Sequence, residues 1–316
     1  MSTVLKVEGL EVDFKVGDQL LNSPLRGMSF SIAEGKTLGI VGETGCGKTL
    51  TATAIMGLLP SAAVQRGNIE FVGYGVVSKA DLMKIRGSEI SMIFQNPHSA
   101  FNPIFTIGAQ LTMVAQRRKI PRSEIQELLS ERLLSVGLTD AKRVMSSYPH
   151  ELSGGMLQRC MIAMALISAP KLLIADEPTT ALDATIGHQV LGLIHTLQER
   201  EGFAMLFISH DVGAVAKVSD EIAVVYAGRV VESGPTEEIM KRPQHPYTRG
   251  LLGAIPSAQK PRGQLVAIPG NVPSSLMGIR GCSFADRCGL VDDRCKTEPP
   301  LVTSNGHTTA CWQVVE

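Results

Sequence analysis

The sequence has no net charge, few aromatic side chains and no long hydrophobic run. Lys plus Arg and Asp plus Glu are both 30, so the formal net charge is zero. Proteins that bind nucleic acid without sequence preference carry a basic surplus that neutralises phosphates, which makes nucleic acid a poor candidate partner. The most apolar stretch, residues 161–175, is interrupted by Pro170 and Lys171 and falls short of the ~20 residues that span a bilayer. Any membrane role must therefore come through partners.

A secretory leader is also lacking, because the N-terminus shows no basic segment followed by an apolar core. We therefore expect the protein to stay inside the cell. Hydrophobic residues make up 44%, aromatic residues 4% and charged residues 19%, which suits an α/β protein and argues against disorder. The length of 316 residues predicts one large domain with a smaller appendage.

The first half of the chain contains a strand, loop and helix unit and then a helical insert. Residues 36–41 are typical of a short buried strand, and residues 48–59 are typical of a helix that stops at a proline. Ser123 and Gln126 resemble a capping box, which predicts that a helix begins there.

The second half returns to short apolar runs before it becomes rich in proline. Residues 172–175 and 204–208 end in polar residues, as expected of parallel strands whose carboxyl ends carry chemistry. The proline density near residues 240–275 predicts a boundary and a loop-rich tail.

The turn between the first strand and the first helix matches the phosphate-binding motif G-x-x-x-x-G-K-[ST]. Its residues are Gly42, Glu43, Thr44, Gly45, Cys46, Gly47, Lys48 and Thr49. The position between strand and helix is the context that identifies this motif, whose backbone N–H groups wrap nucleotide phosphates. We therefore expect the loop to bind ATP, with Lys48 on the β and γ phosphates and Thr49 on Mg²⁺.

Two carboxylates, Asp176 and Glu177, follow the apolar run 172–175. This placement predicts that Asp176 holds Mg²⁺ and that Glu177 orients or deprotonates the water that attacks the γ phosphate. The alternative, that these two residues only begin a helix, is disfavoured because the phosphate loop is present in the same chain.

The segment Leu152-Ser-Gly-Gly-Met156 opens an apolar helix, residues 156–168, with a hydroxyl and two glycines at its N-terminal end. Such an end favours anions. Together with the phosphate loop and the two carboxylates, this segment resembles the signature of the ABC ATPase family. The resemblance implies that Ser153, Gly154 and Gly155 bind the γ phosphate of ATP held by an opposite subunit.

Further matches follow the order of that family. Gln95 stands in the Q-loop, Asp183 in the D-loop and His210 at the switch position after a strand. The resemblance implies that Lys48, Gln95, Glu177 and His210 act in catalysis and that Thr49, Gln95 and Asp176 hold Mg²⁺. Two positions depart from the family pattern, Met156 in place of Gln and Leu157 in place of Arg.

The fold implied by this resemblance is α/β, a P-loop NTPase (RecA-like) core with a helical signature subdomain and an antiparallel N-terminal β region. The ABC ATPase domain would comprise residues 1–255, with the helical subdomain at about 97–168. A small, loop-rich, cysteine-containing C-terminal region would comprise residues 256–316. Phe14 is a candidate for stacking on adenine, and a role in the strand core is an equal alternative.

Four stretches resemble the ATPases of oligopeptide and dipeptide importers: residues 95–103, 152–166, 177–183 and 245–252. The resemblance implies ATP hydrolysis that powers import of di- or oligopeptides. The implied partners are a homologous second ATPase, two membrane permease subunits and an extracytoplasmic solute-binding protein. The chain would lie at the cytoplasmic face of the inner membrane.

Other functions stay open at this point. Nickel, glutathione, opine and sugar importers share this type of ATPase. A non-transport ABC ATPase is a remote alternative, because a second cassette and a long coiled-coil insertion are both lacking. A regulatory subunit without catalysis is disfavoured because Lys48, Asp176, Glu177 and His210 are all present.

The residues after Gln95, 96–105, are predicted to form the surface on which a membrane subunit docks. This interpretation places Phe101 and Phe105 on the surface. The alternative is a solvent-exposed loop, in which both phenylalanines would be exposed without purpose.

Six cysteines are present, and four of them crowd the last 35 residues. These four are Cys282, Cys288, Cys295 and Cys311. In a reducing compartment such a cluster suggests metal ligation before disulfides. The C-terminal region resembles that of the peptide importer branch, and four thiolates suit a [4Fe-4S] cluster. Zinc, which more often uses closely spaced pairs, and unligated thiols are the alternatives. Cys46 and Cys160 are expected to be buried core or loop residues.

Overall fold

The computed structural model describes residues 2–16, 19–255, 268–273 and 279–314, and the chain forms two compact units. The described part of the first unit comprises residues 2–4, 33–36 and 78–206. The second unit comprises the remaining described residues, from 5 to 32, from 37 to 77 and from 207 onward.

The strands of the described residues are distributed along the whole chain. They are β1 (Thr3–Val16), β2 (Gln19–Ala33), β3 (Thr37–Val41), β4 (Ala63–Phe71), β5 (Gly75–Val76), β6 (Ile90–Ile93), β7 (Leu172–Asp176), β8 (Ala204–Ser209), β9 (Glu221–Tyr226), β10 (Arg229–Pro235), β11 (Val302–Ser304) and β12 (His307–Thr309).

The helices concentrate between the strands β5 and β10. They are α1 (Lys48–Ile55), α2 (Lys79–Ile85), α3 (Pro97–Ala100), α4 (Ile107–Arg117), α5 (Arg122–Ser135), α6 (Ala141–Ser146), α7 (Gly154–Leu166), α8 (Ala184–Glu201), α9 (Val212–Val218), α10 (Thr236–Lys241) and α11 (Pro246–Gly253). Short 3-10 helices occur at Pro149–Glu151, Ala285–Arg287 and Asp293–Lys296.

The second unit contains the predicted antiparallel N-terminal β region, a sheet in the order β2-β1-β4-β5. Strands β1 and β4 pair antiparallel, with Leu5 opposite Phe71 and a bulge between Glu8 and Glu11. Alternate side chains of β1 are buried on both sides of that bulge. The bulge shifts the alternation by one residue, so the apolar side chains keep facing the core.

Further strands of the second unit follow the order β11-β12-β10-β9-β3. Strand β3 pairs in parallel with β9, and every residue of β3 is buried, which matches its continuous apolar sequence. Helix α9 packs on β3 so closely that a Cβ on Gly39 would lie 2.1 Å from Cγ1 of Val215. Only a residue without a side chain fits there.

The buried Glu232 ties the hairpin β11–β12 to β10. Its carboxylate accepts the backbone N–H groups of Gln244 at 2.6 Å and His245 at 3.0 Å, and it bonds Nε2 of His307 at 2.7 Å. Strand β12 pairs antiparallel with β10, with Thr309 opposite Glu232. A fully buried carboxylate is tolerated because each of these groups donates to it.

The first unit places the parallel pair β6 and β7 beside a set of helices. Ile90 pairs with Leu172, and all of β7 is buried. Helix α7 packs against α3 and α5 and is apolar on most of its surface. Leu157 is fully buried on α7 and is part of the packed core.

Most predicted elements are confirmed, with shifted ends. Residues 172–175 and 204–208 are β7 and β8. The helix predicted at 48–59 stops at Ile55, and Gly57 follows in the left-handed region at φ 63°. The helix predicted at 156–168 begins earlier, at Gly154, because the Ser153 hydroxyl accepts the Met156 N–H at 3.3 Å.

The capping box predicted at Ser123 is wrong. Helix α5 begins at Arg122 after Pro121, and no side chain caps its first turn. Pro121 stands at the cap position and has no side-chain acceptor, so its carbonyl oxygen accepts the Glu124 N–H, at 2.9 Å, in place of a hydroxyl cap. Within the predicted proline-rich stretch 240–275, residues 256–267 and 274–275 lie outside the described part, and α11 is a regular helix.

Candidate functional site

The phosphate loop, Gly42 to Thr49, connects β3 to α1 in the second unit. A Cβ on Gly42 would lie 2.2 Å from the carbonyl oxygen of Val225, and Gly47 caps α1 at φ 104°. Both positions therefore require glycine. Helix α1 begins directly at the end of the loop, as a phosphate site needs.

Lys48 is buried although it carries a charge. Its Nζ donates to the carbonyl oxygens of Gly42 at 2.8 Å and Glu43 at 3.1 Å. Cys46 is fully buried next to it, and burial raises the pKa of its thiol. The ammonium therefore sits inside the loop, and Cys46 fills space as expected.

Glu43 is held by groups from the C-terminal part of the second unit. Both carboxylate oxygens accept from the guanidinium of Arg287, at 2.6 and 2.9 Å. The backbone N–H of Glu43 donates to Oη of Tyr247 at 2.9 Å. The hydrogen bonds from Arg287 to the Glu43 carboxylate raise the pKa of Arg287 above its ordinary value.

Asp176 and Glu177 lie at the carboxyl end of β7 in the first unit. Asp176 is buried, whereas the Glu177 side chain is half-buried and its backbone lies in the left-handed region at φ 47°. Oε2 of Glu177 accepts Nε2 of Gln95 at 3.0 Å and Oγ1 of Thr180 at 2.8 Å. A non-glycine residue in this conformation costs about 1–3 kcal/mol, and such strain clusters at functional sites. The structure thus brings Gln95 and Glu177 together.

The signature segment and Asp183 lie at the starts of two helices of the first unit. Ser153 caps α7, and Asp183 caps α8 by accepting the Ile186 N–H at 3.0 Å. A Cβ on Gly155 would lie 2.9 Å from Cγ2 of Ile186. The glycine therefore permits close packing of the two helix starts and leaves the Ser153 end exposed.

His210 is exposed directly after β8, in the second unit. Phe14 is a half-buried residue of β1, opposite Ala63 of β4.

The prediction that Phe101 is exposed is wrong. Phe101 follows α3, which packs against α7, and its side chain is buried. Ile104 and Phe105 are exposed instead, to 75% and 43%. The short helix α3 turns the chain so that the first phenylalanine joins the core.

The four C-terminal cysteines lie near one another. The Cys282 N–H donates to the Cys295 carbonyl at 2.9 Å, and the Cys282 thiol interacts electrostatically with the thiols of Cys288, Cys295 and Cys311. Burial raises the pKa of the Cys282 thiol. Within the residues that the structure describes, no three His, Cys, Asp or Glu side chains are grouped as metal ligands. The predicted ligand set is therefore close in space without being assembled.

Three contacting residues were not assigned from the sequence. Thr180 belongs to the stretch after Glu177, and its hydroxyl could have indicated a partner for that carboxylate. Tyr247 and Arg287 reach Glu43 across 204 and 244 positions of the chain, so no local signal indicates them.

Comparisons with known proteins match both parts of the chain. The ABC transporter family model matches residues 25–180, and the model of the oligopeptide/dipeptide transporter C-terminal region matches residues 231–295. A probable peptide ABC transporter ATP-binding protein of Sinorhizobium fredii is 43% identical over 98% of this chain and 95% of its own. The oligopeptide transport ATP-binding protein OppD of Haemophilus influenzae is 44% identical over 100% of this chain and 99% of its own.

A solved structure supports the same assignment. A dimeric ATP-binding cassette in a post-hydrolysis state, bound to ADP and Pi, matches with a TM-score of 0.63 and 25% identity. The match covers 73% of this chain and 98% of that one. The predicted P-loop NTPase fold is thereby confirmed, and the class is that of the ABC ATPases.

Within that class, the chain belongs to the family of ATP-binding proteins of oligopeptide and dipeptide ABC transporters, and it is an ATPase. In the described part of the chain, no helix has the length and apolar character needed to cross a membrane.

Proposed function

We propose that the chain hydrolyses ATP to power the import of di- or oligopeptides. The observation that carries the proposal is the presence, in one chain, of the cassette and of the oligopeptide/dipeptide C-terminal region. The proposed partners are a homologous second ATPase, two membrane permease subunits and an extracytoplasmic solute-binding protein. The chain would then lie at the cytoplasmic face of the inner membrane.

Uptake measurements test the transported solute. Cells that lack this chain should fail to take up labelled di- and oligopeptides and should recover uptake when the chain is restored. Nickel and glutathione uptake serve as parallel assays. Loss of uptake of one of those solutes, with peptide uptake intact, would contradict the proposal.

For the phosphate side of the reaction, we propose that the loop N–H groups and Lys48 hold the β and γ phosphates of ATP. Thr49, Gln95 and Asp176 would hold Mg²⁺, which neutralises phosphate charge. The burial of Lys48 and its contacts with two loop carbonyls support this role, since the ammonium already lies within the loop.

For activation of the attacking water, we propose that Glu177 is the general base. Gln95 and His210 would position the water and the γ phosphate. The hydrogen bond between Gln95 and Glu177 supports the pairing. The two donors, Gln95 and Thr180, hold the carboxylate in one orientation, as a general base needs.

We further propose that Ser153, Gly154 and Gly155 bind ATP held by the partner ATPase, with Asp183 beside that contact. The exposed start of α7 supports this role. The structurally similar cassette is itself dimeric.

The proposed domains are an ABC ATPase domain of residues 1–255, with a helical subdomain at about 97–168, and a C-terminal region of residues 256–316. Helices α3 to α7, which begin at Pro97 and end at Leu166, support the bounds of the subdomain.

The loop between α3 and α4 is proposed as the docking surface for a permease subunit. Ile104 and Phe105 are exposed there, and Gln110 fixes the loop by donating to the carbonyl oxygens of Asn102 and Phe105 at 3.1 and 3.0 Å. Apolar side chains held on an ordered loop are typical of a contact site.

Phe105→Asp should therefore lower peptide transport in the assembled transporter by about tenfold or more, because a charge would have to be desolvated at the contact. ATP binding by the isolated chain should not change. Met83→Asp is the matched control, since Met83 is also exposed, on α2 of the same unit. Equal permease copurification and equal transport in the two variants would refute the docking role.

The C-terminal thiols are proposed to bind one [4Fe-4S] cluster. The donor set supports this, because four thiols lie near one another and Cys295 and Cys311 are buried. Binding would require the side chains to turn toward a common centre. The cluster would cross-link a region that has little apolar core.

Protein purified without oxygen should be brown and contain about four irons per chain, and Cys288→Ser should lose most of that iron. Cys160→Ala is the control, because Cys160 is buried in α7 and burial raises its pKa to about 12. Colourless protein with stoichiometric zinc would favour a zinc site instead.

A further inference from the structure

Arg287 is a buried cation that uses all of its donors. Its side chain is only 6% exposed. Nε donates to the Pro269 carbonyl, one terminal nitrogen to Glu43 and Tyr226, and the other to Glu43 and the Gly270 carbonyl. A guanidinium has five N–H groups, and these five contacts match that number. Such complete satisfaction indicates a built site and not an incidental surface pair.

Three groups converge on the single loop residue Glu43. Arg287 holds its carboxylate with two bonds, Tyr247 accepts its backbone N–H, and Lys48 donates to its carbonyl oxygen. Lys48 belongs to the loop itself, whereas Arg287 and Tyr247 belong to the C-terminal part of the second unit. The first turn of the phosphate loop is thus fixed from outside the loop.

Aromatic rings pack beside the ion pair. The guanidinium carbon lies 5.7 Å from the ring centroid of Tyr226 and 5.9 Å from that of Phe284. The ring of Tyr226 packs against those of Tyr247 and Phe284 at 4.7 and 5.2 Å. Rings exclude water from one side of the pair and add cation–π attraction, which strengthens the interaction between Arg287 and Glu43.

The charge of Glu43 affects ATP binding because Glu43 is part of the phosphate loop. An eight-residue loop that wraps a triphosphate keeps its side chains within about 10 Å of the phosphate charges. At that distance, a free carboxylate in a partly buried site repels ATP appreciably, and a bound guanidinium cancels the repulsion.

We propose that Arg287 is a positioning residue for ATP binding: it neutralises and orients Glu43, so that the C-terminal region sets the affinity of the phosphate loop for ATP. The proposal rests on ATP binding by this loop, and it does not depend on the transported solute or on a metal cluster.

Equilibrium binding of ATP to the purified full-length chain tests this role. Arg287→Ala should weaken ATP binding about tenfold, and the difference from the unmodified chain should shrink as salt rises, because salt screens the exposed part of the repulsion. Arg294→Ala is the matched control. Like Arg287 it directly precedes a cysteine, but its ion pair is a local one with Asp292, and its side chain is half-exposed. The affinity of the Arg294→Ala variant for ATP should stay within about twofold of the affinity of the unmodified chain.

Removal of the Glu43 charge separates neutralisation from general structural support. The double variant Arg287→Ala with Glu43→Gln should bind ATP within about threefold of Glu43→Gln alone, since no carboxylate then needs a partner. Arg287→Lys, which retains a cation and places less strain on folding, should weaken binding about threefold because an ammonium does not bind both carboxylate oxygens.

Two outcomes would overturn the proposal. One is an affinity of Arg287→Ala equal to that of Arg294→Ala. The other is a double variant that remains about tenfold weaker than Glu43→Gln, which would assign the loss to distortion of the tail. A thermal melt of each variant confirms that the compared chains are folded.

Discussion

Replacement of Glu177 by glutamine is expected to slow ATP hydrolysis about 10²- to 10⁴-fold and to leave ATP binding intact. An amide cannot take a proton from the attacking water. Its carbonyl oxygen can still accept from Gln95 and Thr180, the two donors that hold the native carboxylate. The variant should therefore keep the hydrogen bonds to Gln95 and Thr180 and lose only the general base.

The single-turnover rate of the assembled transporter is the measurement for this prediction. Glu199→Gln is the control, because Glu199 is an exposed acid on α8 of the same unit. A Glu177→Gln rate equal to that of the control would exclude Glu177 as the base. A loss of ATP binding would point to a structural role of the carboxylate at its strained backbone position.

Ser153→Arg is expected to abolish hydrolysis at the partner's nucleotide and to leave ATP binding to this chain's own phosphate loop unchanged. The hydroxyl of Ser153 lies at the exposed N-terminal end of α7, where arginine would place a long side chain in the path of the facing nucleotide. Loss of the cap would also cost about 1 kcal/mol of helix stability.

Nucleotide crosslinking at each site of the assembled transporter distinguishes the two effects. Ser123→Arg, an exposed serine in the first turn of α5, controls for the added charge and bulk. Turnover at both sites that survives Ser153→Arg would rule out a shared nucleotide site. Equal loss in the Ser123→Arg control would show that the effect is not specific to the signature.

The parts of the site that depend on short sequence patterns were predictable. The glycines at 42 and 47 are required by local backbone geometry, and Lys48 follows at a fixed spacing. A fully apolar run that ends in Asp176 and Glu177 reads as a buried parallel strand in any context. Ser153 as a helix cap is likewise a property of a few consecutive residues.

The parts that depend on tertiary packing were not predictable. Phe101 and Phe105 are the same residue type four positions apart, and only the packing of α3 against α7 decides which one is buried. The pair of Glu43 and Arg287 joins positions 244 apart, and neither residue stands in a pattern that indicates the other. Four cysteines can be counted in a sequence, but their spacing does not fix how their side chains are turned.

While the chain is being synthesised, one edge of strand β10 has no neighbouring strand until almost all residues have been added. That edge is paired by β12, the hairpin of residues 302–309 near the C-terminus. Until those residues have been made, β10 presents open backbone groups, and the carboxylate of Glu232 lacks its bond to His307. An open strand edge is a template for pairing with another chain. The last hairpin therefore completes the sheet edge and gives the buried carboxylate its hydrogen bond to His307 in the same step.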